Sequence, residues 1–304
     1  MLNMLLKKRG KMLWIFPVAV LCLWGIAQQV FAEEPVKSEA MKTLGTKLTL
    51  PGEVFSVEGR NAFLIMPVKT EAGHEIPWIW YAPTFVPRKP GPEEKWMFQQ
   101  FLDAGIAIAG IDVGESYGSP KGRTLYSALY NELVQKRGFA KKACMLARSR
   151  GGLMLYNWAA EHPSSVACIA GIYPVGDLRS YPGLKKACGA YDMTEEQLAA
   201  KLAEHNPIDR LEPLAKAHVP IYHIHGDSDL GVPLEKNSAE LEKRYRQLGG
   251  EMTLNIAKGQ GHSYWTGFFQ CQELVDFVIK HAQESIEGTQ GKAMETAPAS
   301  GGGK

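Results

Sequence analysis

The stretch Ala143-Cys144-Met145-Leu146-Ala147-Arg148-Ser149-Arg150-Gly151-Gly152-Leu153-Met154-Leu155-Tyr156-Asn157-Trp158-Ala159-Ala160 decides the fold. Its first five residues form a short apolar run of the kind that makes a fully buried strand, and Gly152 to Glu161 reads as a helix that His162-Pro163 ends. Between them Ser149 is followed by Gly151-Gly152, so a strand must turn sharply into a helix with a serine at the corner. Small residues around such a corner let the backbone approach its neighbours and lift the serine Oγ above the sheet edge. Ser149 is therefore the candidate nucleophile.

A literal Gly-x-Ser-x-Gly pattern occurs elsewhere, at Gly114-Glu115-Ser116-Tyr117-Gly118, whereas Ala147 stands where the Ser149 pattern would have its first glycine. Context favours Ser149, because alanine is small enough for that slot. Gly118-Ser119-Pro120 after Ser116 is expected to open a loop rather than a helix.

Outward from this unit, strands alternate with helices in the pattern of a mostly parallel sheet with helices on both faces. Thr49 to Val57 and Asn61 to Val68 read as a leading antiparallel pair, and Pro77 to Tyr81, Gly105 to Ile111, Val166 to Tyr173, Pro220 to His225 and Met252 to Ile256 as further strands. Helices are expected at Glu93 to Ala104, Tyr126 to Lys136, Pro233 to Leu248 and Phe268 to Ala282. Between Gly176 and Ala217 the alternation breaks into a small helical cap, with Glu195 to Glu204 its clearest helix. The expected organisation is a signal peptide over 1–32, a catalytic domain over 33–287 with the cap at about 176–217, and a disordered tail over 288–304 rich in Gly, Ala, Ser and Thr.

Ligands of open α/β sheets gather at the carboxyl ends of the strands, and two further candidates lie there. The strand Ile221-Tyr222-His223-Ile224-His225 runs into Gly226-Asp227-Ser228-Asp229-Leu230-Gly231-Val232-Pro233, which offers two carboxylates. Asp229 is the preferred acid, and Asp227 is expected to shape the turn by bonding its own backbone. Gly259-Gln260-Gly261-His262-Ser263 is a glycine-bordered loop after the last strand, which places His262 to accept and return a serine proton. His223 and His225 alternate along a strand and read as core. No residues have metal-ligand spacing, and no cofactor is expected.

Length and charge bound the rest. With 304 residues, 45% hydrophobic and 22% charged, the chain has the composition of an ordinary globular protein, not of a disordered or fibrous one. Lys7, Lys8, Arg9 and Lys11 precede the apolar run Met12 to Ala27, and Val30-Phe31-Ala32 offers a cleavage site with Glu33 as the new N-terminus. An uncleaved anchor is the alternative to that reading. Removal takes four basic residues and no acidic one, so net charge falls from +2 to −2 and no basic patch argues for nucleic acid. The mature protein is expected outside the cytoplasm, secreted or periplasmic, with no stable membrane span. Four cysteines then remain, of which Cys144 and Cys168 sit in apolar runs as expected buried thiols, while Cys188 and Cys271 form a candidate bridge.

Taken together, Ala-Arg-Ser-Arg-Gly-Gly at 147–152, His-Gly-Asp-Ser-Asp at 225–229 and Gly-His at 261–262 resemble the α/β-hydrolase superfamily, closest to prolyl-oligopeptidase-like hydrolases and secreted esterases. The resemblance spans about Trp78 to Ile279 and implies a Ser149–His262–Asp229 triad. It also implies an oxyanion hole built from the Arg150 amide and one amide after the third strand, for which Phe85 is chosen because Pro83 has no N–H. The Ser-Arg pair at 149–150 looks like that of glucuronoyl esterases, where the arginine helps hold negative charge. The Arg150 side chain thus has two readings, packing on the helix or pairing with a substrate carboxylate. Trp78, Tyr117 and Trp265, with Trp80 and Tyr264, are candidates to stack on a sugar ring. The implied activity is hydrolysis of carboxylic esters of small molecules or carbohydrates, with a peptidase or a non-catalytic glycan-binding protein on the same fold as alternatives.

Overall fold

A computed structural model describes residues 48–70, 73–85 and 90–295. The expected signal segment at 1–32 lies outside them. Eight strands among the described residues form one sheet: β1 (Glu53–Val57), β2 (Arg60–Ile65), β3 (Trp78–Ala82), β4 (Ala107–Ile111), β5 (Ala143–Arg148), β6 (Val166–Ile172), β7 (Ile221–Gly226) and β8 (Met252–Ala257). Their spatial order is β1-β2-β4-β3-β5-β6-β7-β8. β2 is antiparallel to β1 and β4, and every other pairing is parallel. The sheet is open, and it is that of an α/β-hydrolase.

The chain moves from β3 to β4 on one side of β3 and then returns to place β5 on the other. This reversal makes the ends of β3 and β5 a topological switch point, where the connecting loops diverge and leave a crevice.

Alternation along the strands divides the core into two layers. Trp78, Trp80, Met145 and Ala147 face one layer with residues of α2 (Pro120–Asn131), α3 (Gly151–Glu161) and α4 (Ser238–Gln247). Ile79, Tyr81, Cys144 and Leu146 face the other with α1 (Lys95–Asp103) and α5 (Gln272–Glu295). Both faces are covered, which is why the central strands read as continuous apolar runs.

Several boundaries differ from the sequence reading. Helix α2 begins at Pro120, six residues before the expected Tyr126, because Ser119 is its N-cap and Pro120 its first residue. That Ser-Pro pair is a helix start signal, so the stretch after Ser116 does lead into a helix. The expected 195–204 helix is two short ones, Glu195–Ala200 and Leu202–His205, broken at Lys201. The last helix passes the expected tail boundary at 287 and reaches Glu295, since Gln290, Lys292, Ala293 and Met294 are good helix formers that readily extend an existing helix. Residues 296–304 lie outside the described residues. Cys144, Cys168, Cys188 and Cys271 are all free thiols, so the candidate Cys188–Cys271 bridge is absent. Cys271 lies under β7 near the Tyr222 hydroxyl at 3.8 Å, while Cys188 belongs to the 176–217 insert.

Trp80 anchors the first core layer. Its ring lies 4.8 Å from Trp158, 5.2 Å from Trp78 and 5.2 Å from Tyr126. Trp80→Ala empties a large volume against Trp158 of α3 and is expected to cost about 3–5 kcal/mol. A lower denaturant midpoint at unchanged slope is the expected result in equilibrium unfolding.

Candidate active site

Ser149 directly follows β5 with φ of 50°, a left-handed conformation that an L-residue adopts only when its surroundings impose it. The surroundings are visible. Its N–H donates to Ile172 O at 3.0 Å, and its carbonyl accepts from Gly152 N at 3.0 Å and Val175 N at 2.8 Å. The next turn is wedged between neighbours: a Cβ on Gly151 would collide with the Ala82 carbonyl, and one on Gly152 with that of Val175. Both glycines are thus required by close backbone approach, as the sequence suggested. The Arg150 backbone caps α3, so its amide stands at a helix N-terminus beside the serine.

The loops after β7 and β8 meet over this corner. Gly226 packs against Gln260, and Ser228 N donates to Gln260 O at 3.0 Å. These contacts set the three expected residues in line: Ser149 Oγ lies 2.9 Å from His262 Nε2, and His262 Nδ1 lies 2.7 Å from Asp229 Oδ2. The carboxylate can only accept, so Nδ1 carries the proton and Nε2 is left to accept from the serine. Asp229 is buried, and its Oδ1 accepts from Gly231 N at 2.9 Å and Val232 N at 2.7 Å. Burial alone would raise its pKa, yet donation from His225, His262 and the Val232 amide holds it well below the usual carboxylate range. It is therefore charged at neutral pH.

Asp227 plays a different part from the one expected. Its carboxylate accepts from Gly259 N at 2.7 Å, pinning the loop that carries His262, with Lys258 Nζ 3.6 Å away. The turn that bonds its own backbone two residues on belongs to Asp229. Ser116 is buried with its Oγ facing the Gly118 amide at 3.4 Å, a turn acceptor.

The expected substrate-contacting aromatics separate. Trp78 is 1% exposed at the amino end of β3, where its indole N–H donates to Ala140 O at 3.0 Å. It lies in the core at the wrong end of the strand, and Trp80 is buried beside it. Covering both sheet faces buries the whole of β3, which a period-two reading of Trp-Ile-Trp could not reveal. Tyr117 is 6% exposed and packs with Leu153 and Val175 under the insert, its carbonyl accepting from Tyr191 OH at 2.7 Å. It supports the insert and offers little ring face. Trp265 is 41% exposed and Tyr264 67% exposed, just beyond His262 and within reach of solvent. The Arg150 guanidinium pairs with Glu115 at 3.0 Å. Phe85 has φ of 58° and packs edge-on against Phe63, with ring centres 6.0 Å apart.

Two participants escaped the sequence reading. Tyr173, just past β6, lies under the His262 imidazole with ring centres 4.3 Å apart, and burial pushes its phenol up. Arg148, buried one residue before the serine, binds Glu93 at 2.7 Å, Glu94, and the Tyr173 hydroxyl at 3.2 Å, and lies over the rings of Tyr264 and Phe269. An arginine inside an otherwise apolar strand was the available signal, since such a cation must be paired. On the solvent side of this hub is a cavity of about 670 Å³ lined by Glu93, Trp96, Gln99, Tyr264, Phe269 and Gln270. Among the described residues no group of three His, Cys, Asp or Glu side chains could hold a metal ion. None of their helices is long and apolar enough to cross a membrane.

Residues 126–288 match the model of the prolyl oligopeptidase family, just over half of the chain. No curated protein matches it by sequence. Among solved structures the chain is similar to dipeptidyl peptidase 4 of Porphyromonas gingivalis, with TM-score 0.61 and 14% identity over 76% of this chain and 35% of the other. It therefore spans about a third of that protein. It is also similar to Est1E from Butyrivibrio proteoclasticus, with TM-score 0.56 and 19% identity over 78% of this chain and 100% of the other. For an S-formylglutathione hydrolase from Agrobacterium tumefaciens the TM-score is 0.59, with 15% identity over 77% of this chain and 93% of the other.

The geometry generates two expectations. Gly151→Ala overpacks the corner and costs about 1–3 kcal/mol, read as a fall in the denaturant midpoint. Acid destabilises the fold: burial, first of all, holds the imidazoles of His162, His205, His223 and His281 below their ordinary range, that of His223 at about 3. The unfolded chain takes up these protons near pH 6.5 and the folded chain does not, so stability is full above pH 6.5 and falls as pH drops towards 3. For His223 the slope approaches about 1.4 kcal/mol per pH unit. Urea unfolding at pH 7, 6 and 5 reads it, and stability that held or rose over that series would contradict the assignment.

Proposed function

We propose that this chain, which belongs to the prolyl oligopeptidase family, is a serine hydrolase that cleaves carboxylic esters through Ser149, His262 and Asp229. The observation that carries the reading is the continuous line from Ser149 Oγ through the imidazole to the buried carboxylate, at 2.9 and 2.7 Å. In the first step Ser149 Oγ attacks the ester carbonyl while His262 Nε2 takes its proton. Asp229 fixes the imidazole tautomer and stabilises the imidazolium that forms. The Arg150 amide, at the N-terminus of α3, and the Phe85 amide bind the oxyanion. The imidazolium then protonates the departing alcohol, and water attacks the acyl-enzyme by the same path in reverse.

An acylated carbohydrate is the proposed substrate class. Its support is the pair of solvent-facing rings beside His262, Tyr264 and Trp265, which continue into the cavity at Trp96 and Phe269. Flat apolar faces next to hydrogen-bonding Gln99, Gln270 and Glu93 suit a ring with apolar faces and a hydroxylated edge. The first rival is a peptidase, favoured by the dipeptidyl peptidase among the similar structures. The second is a glycan-binding protein without turnover. Delivery outside the cytoplasm is proposed from the basic and apolar N-terminal residues, and N-terminal sequencing of the mature protein should begin at Glu33.

Two measurements test the activity. A fluorophosphonate should label the wild-type protein and leave Ser149→Ala unlabelled; labelling that survives that substitution refutes the nucleophile, and none at all supports the binder. Asp229→Asn should lower kcat by about 10⁴-fold, because the imidazole loses its orienting acceptor. Product analysis on acetylated, feruloylated and methyl-esterified polysaccharides, beside short peptide amides, separates esterase from peptidase.

A further inference from the structure

The hydrogen bonds do not stop at Asp229. Behind it lies a buried row of side chains: His225 Nε2 is 2.8 Å from Val232 O and 3.4 Å from Asp229 Oδ2, and its Nδ1 is 2.8 Å from Ser238 Oγ. The same Oγ is 2.9 Å from His223 Nδ1, and His223 Nε2 is 2.7 Å from the Tyr156 hydroxyl. His223, His225, Ser238 and Tyr156 are all at most 1% exposed.

The protons in this row can be assigned by elimination. A carbonyl and an ionised carboxylate only accept, so His225 must carry its proton on Nε2. With one proton on the ring, Nδ1 is an acceptor, and the Ser238 hydroxyl donates its single proton there. Ser238 Oγ is left to accept from His223 Nδ1–H, which leaves His223 Nε2 to accept from Tyr156 O–H. The row therefore runs one way, Tyr156 to His223 to Ser238 to His225 to Asp229. Reversal would aim the His225 Nε2 lone pair at two acceptors at once.

We infer that His225 is a positioning residue for the triad, its ring set by Ser238, His223 and Tyr156 so that Nε2–H holds the Val232 carbonyl of the Asp229 turn and stays 3.4 Å from Asp229 Oδ2. This rests on the triad reading above. Oδ1 is fixed by the amides of Gly231 and Val232 and Oδ2 by His262, and His225 braces the turn that carries them through the Val232 carbonyl. The carboxylate cannot rotate when His262 gains and loses its proton. A pair of histidines in a buried strand, which reads as core, thereby connects the first core layer to the reacting atoms.

The test uses p-nitrophenyl acetate as substrate and the full chain. Unlabelled wild type, from a preparation whose separate aliquot takes the fluorophosphonate, supplies the reference. His225→Leu, which keeps bulk and removes the donor, should lower kcat roughly tenfold with KM within about twofold, the rate equivalent of losing one buried hydrogen bond. His225→Gln, whose amide nitrogen can stand in for Nε2, should recover kcat to within about threefold of wild type. Ser238→Ala should lower kcat about threefold to tenfold by releasing the tautomer lock, and decides the matter if His225→Leu does not fold. Wild-type kcat in His225→Leu or Ser238→Ala, or a Gln variant as impaired as Leu, overturns the inference. A wild-type protein that takes no label overturns the triad reading, and this inference with it, before any variant is compared.

Discussion

A buried carboxylate is strongly destabilising unless its oxygens are satisfied, and the fold around Asp229 is arranged by that need. Two backbone amides of its own turn and two imidazoles converge on it, and each demand shapes a different piece of chain. The Asp229–Val232 turn must close tightly, the β8 loop must come across to deliver His262, and His225 must present one tautomer. Asp227 and the Gln260 carbonyl hold the two loops against each other, so the imidazole arrives at the serine as a consequence of packing rather than of chance.

The serine side of the site answers a different constraint, the close approach of backbones. Ser149 can occupy its left-handed conformation because β6 and residue 175 grip its N–H and carbonyl, and because two glycines let α3 start against the end of β3. That contact lies at the switch point of the sheet, so the strained corner and the open crevice coincide. A cost of about 1–3 kcal/mol for the backbone is tolerable there, since the aromatic cluster around Trp80 anchors the same helix from the opposite side.

Legibility in the sequence depended on which residues signal locally. The corner at 149–152 was readable because glycine and serine between an apolar strand and an apolar helix admit few structures. Asp229 and His262 were readable because the order of the strands along the chain predicts which loop must supply the acid and which the base. Trp78 misled, since an aromatic on a strand looks the same whether one face or both are covered, and coverage is decided by helices distant in sequence. The start of α2 was missed although Ser119-Pro120 announces it, because the glycines around Ser116 make the segment read as loop. Asp227 was expected to bond its own turn, yet it is Asp229 that does so while Asp227 meets the Gly259 amide; only the folded loops show which amide each carboxylate meets. Arg148, Tyr173 and the row from Tyr156 to His225 are contacts between elements far apart in the chain, with no periodicity to betray them.

Arg148 shows what such contacts hold together. It immediately precedes the nucleophile in the chain, neutralised by Glu93 and Glu94, and its flat guanidinium lies against the rings of Tyr264 and Phe269. The loop after His262 and the segment before α1 are thereby fastened to the reactive strand through a single cation. The aromatic loop is consequently fixed relative to Ser149. The line from Ser149 through His262 to Asp229 is held by strand ends common to the fold, and the surface around it is built from segments more peripheral to the sheet. Proteins with the same sheet can therefore carry different activities, and in this chain the aromatic loop meets the reactive corner through one buried arginine.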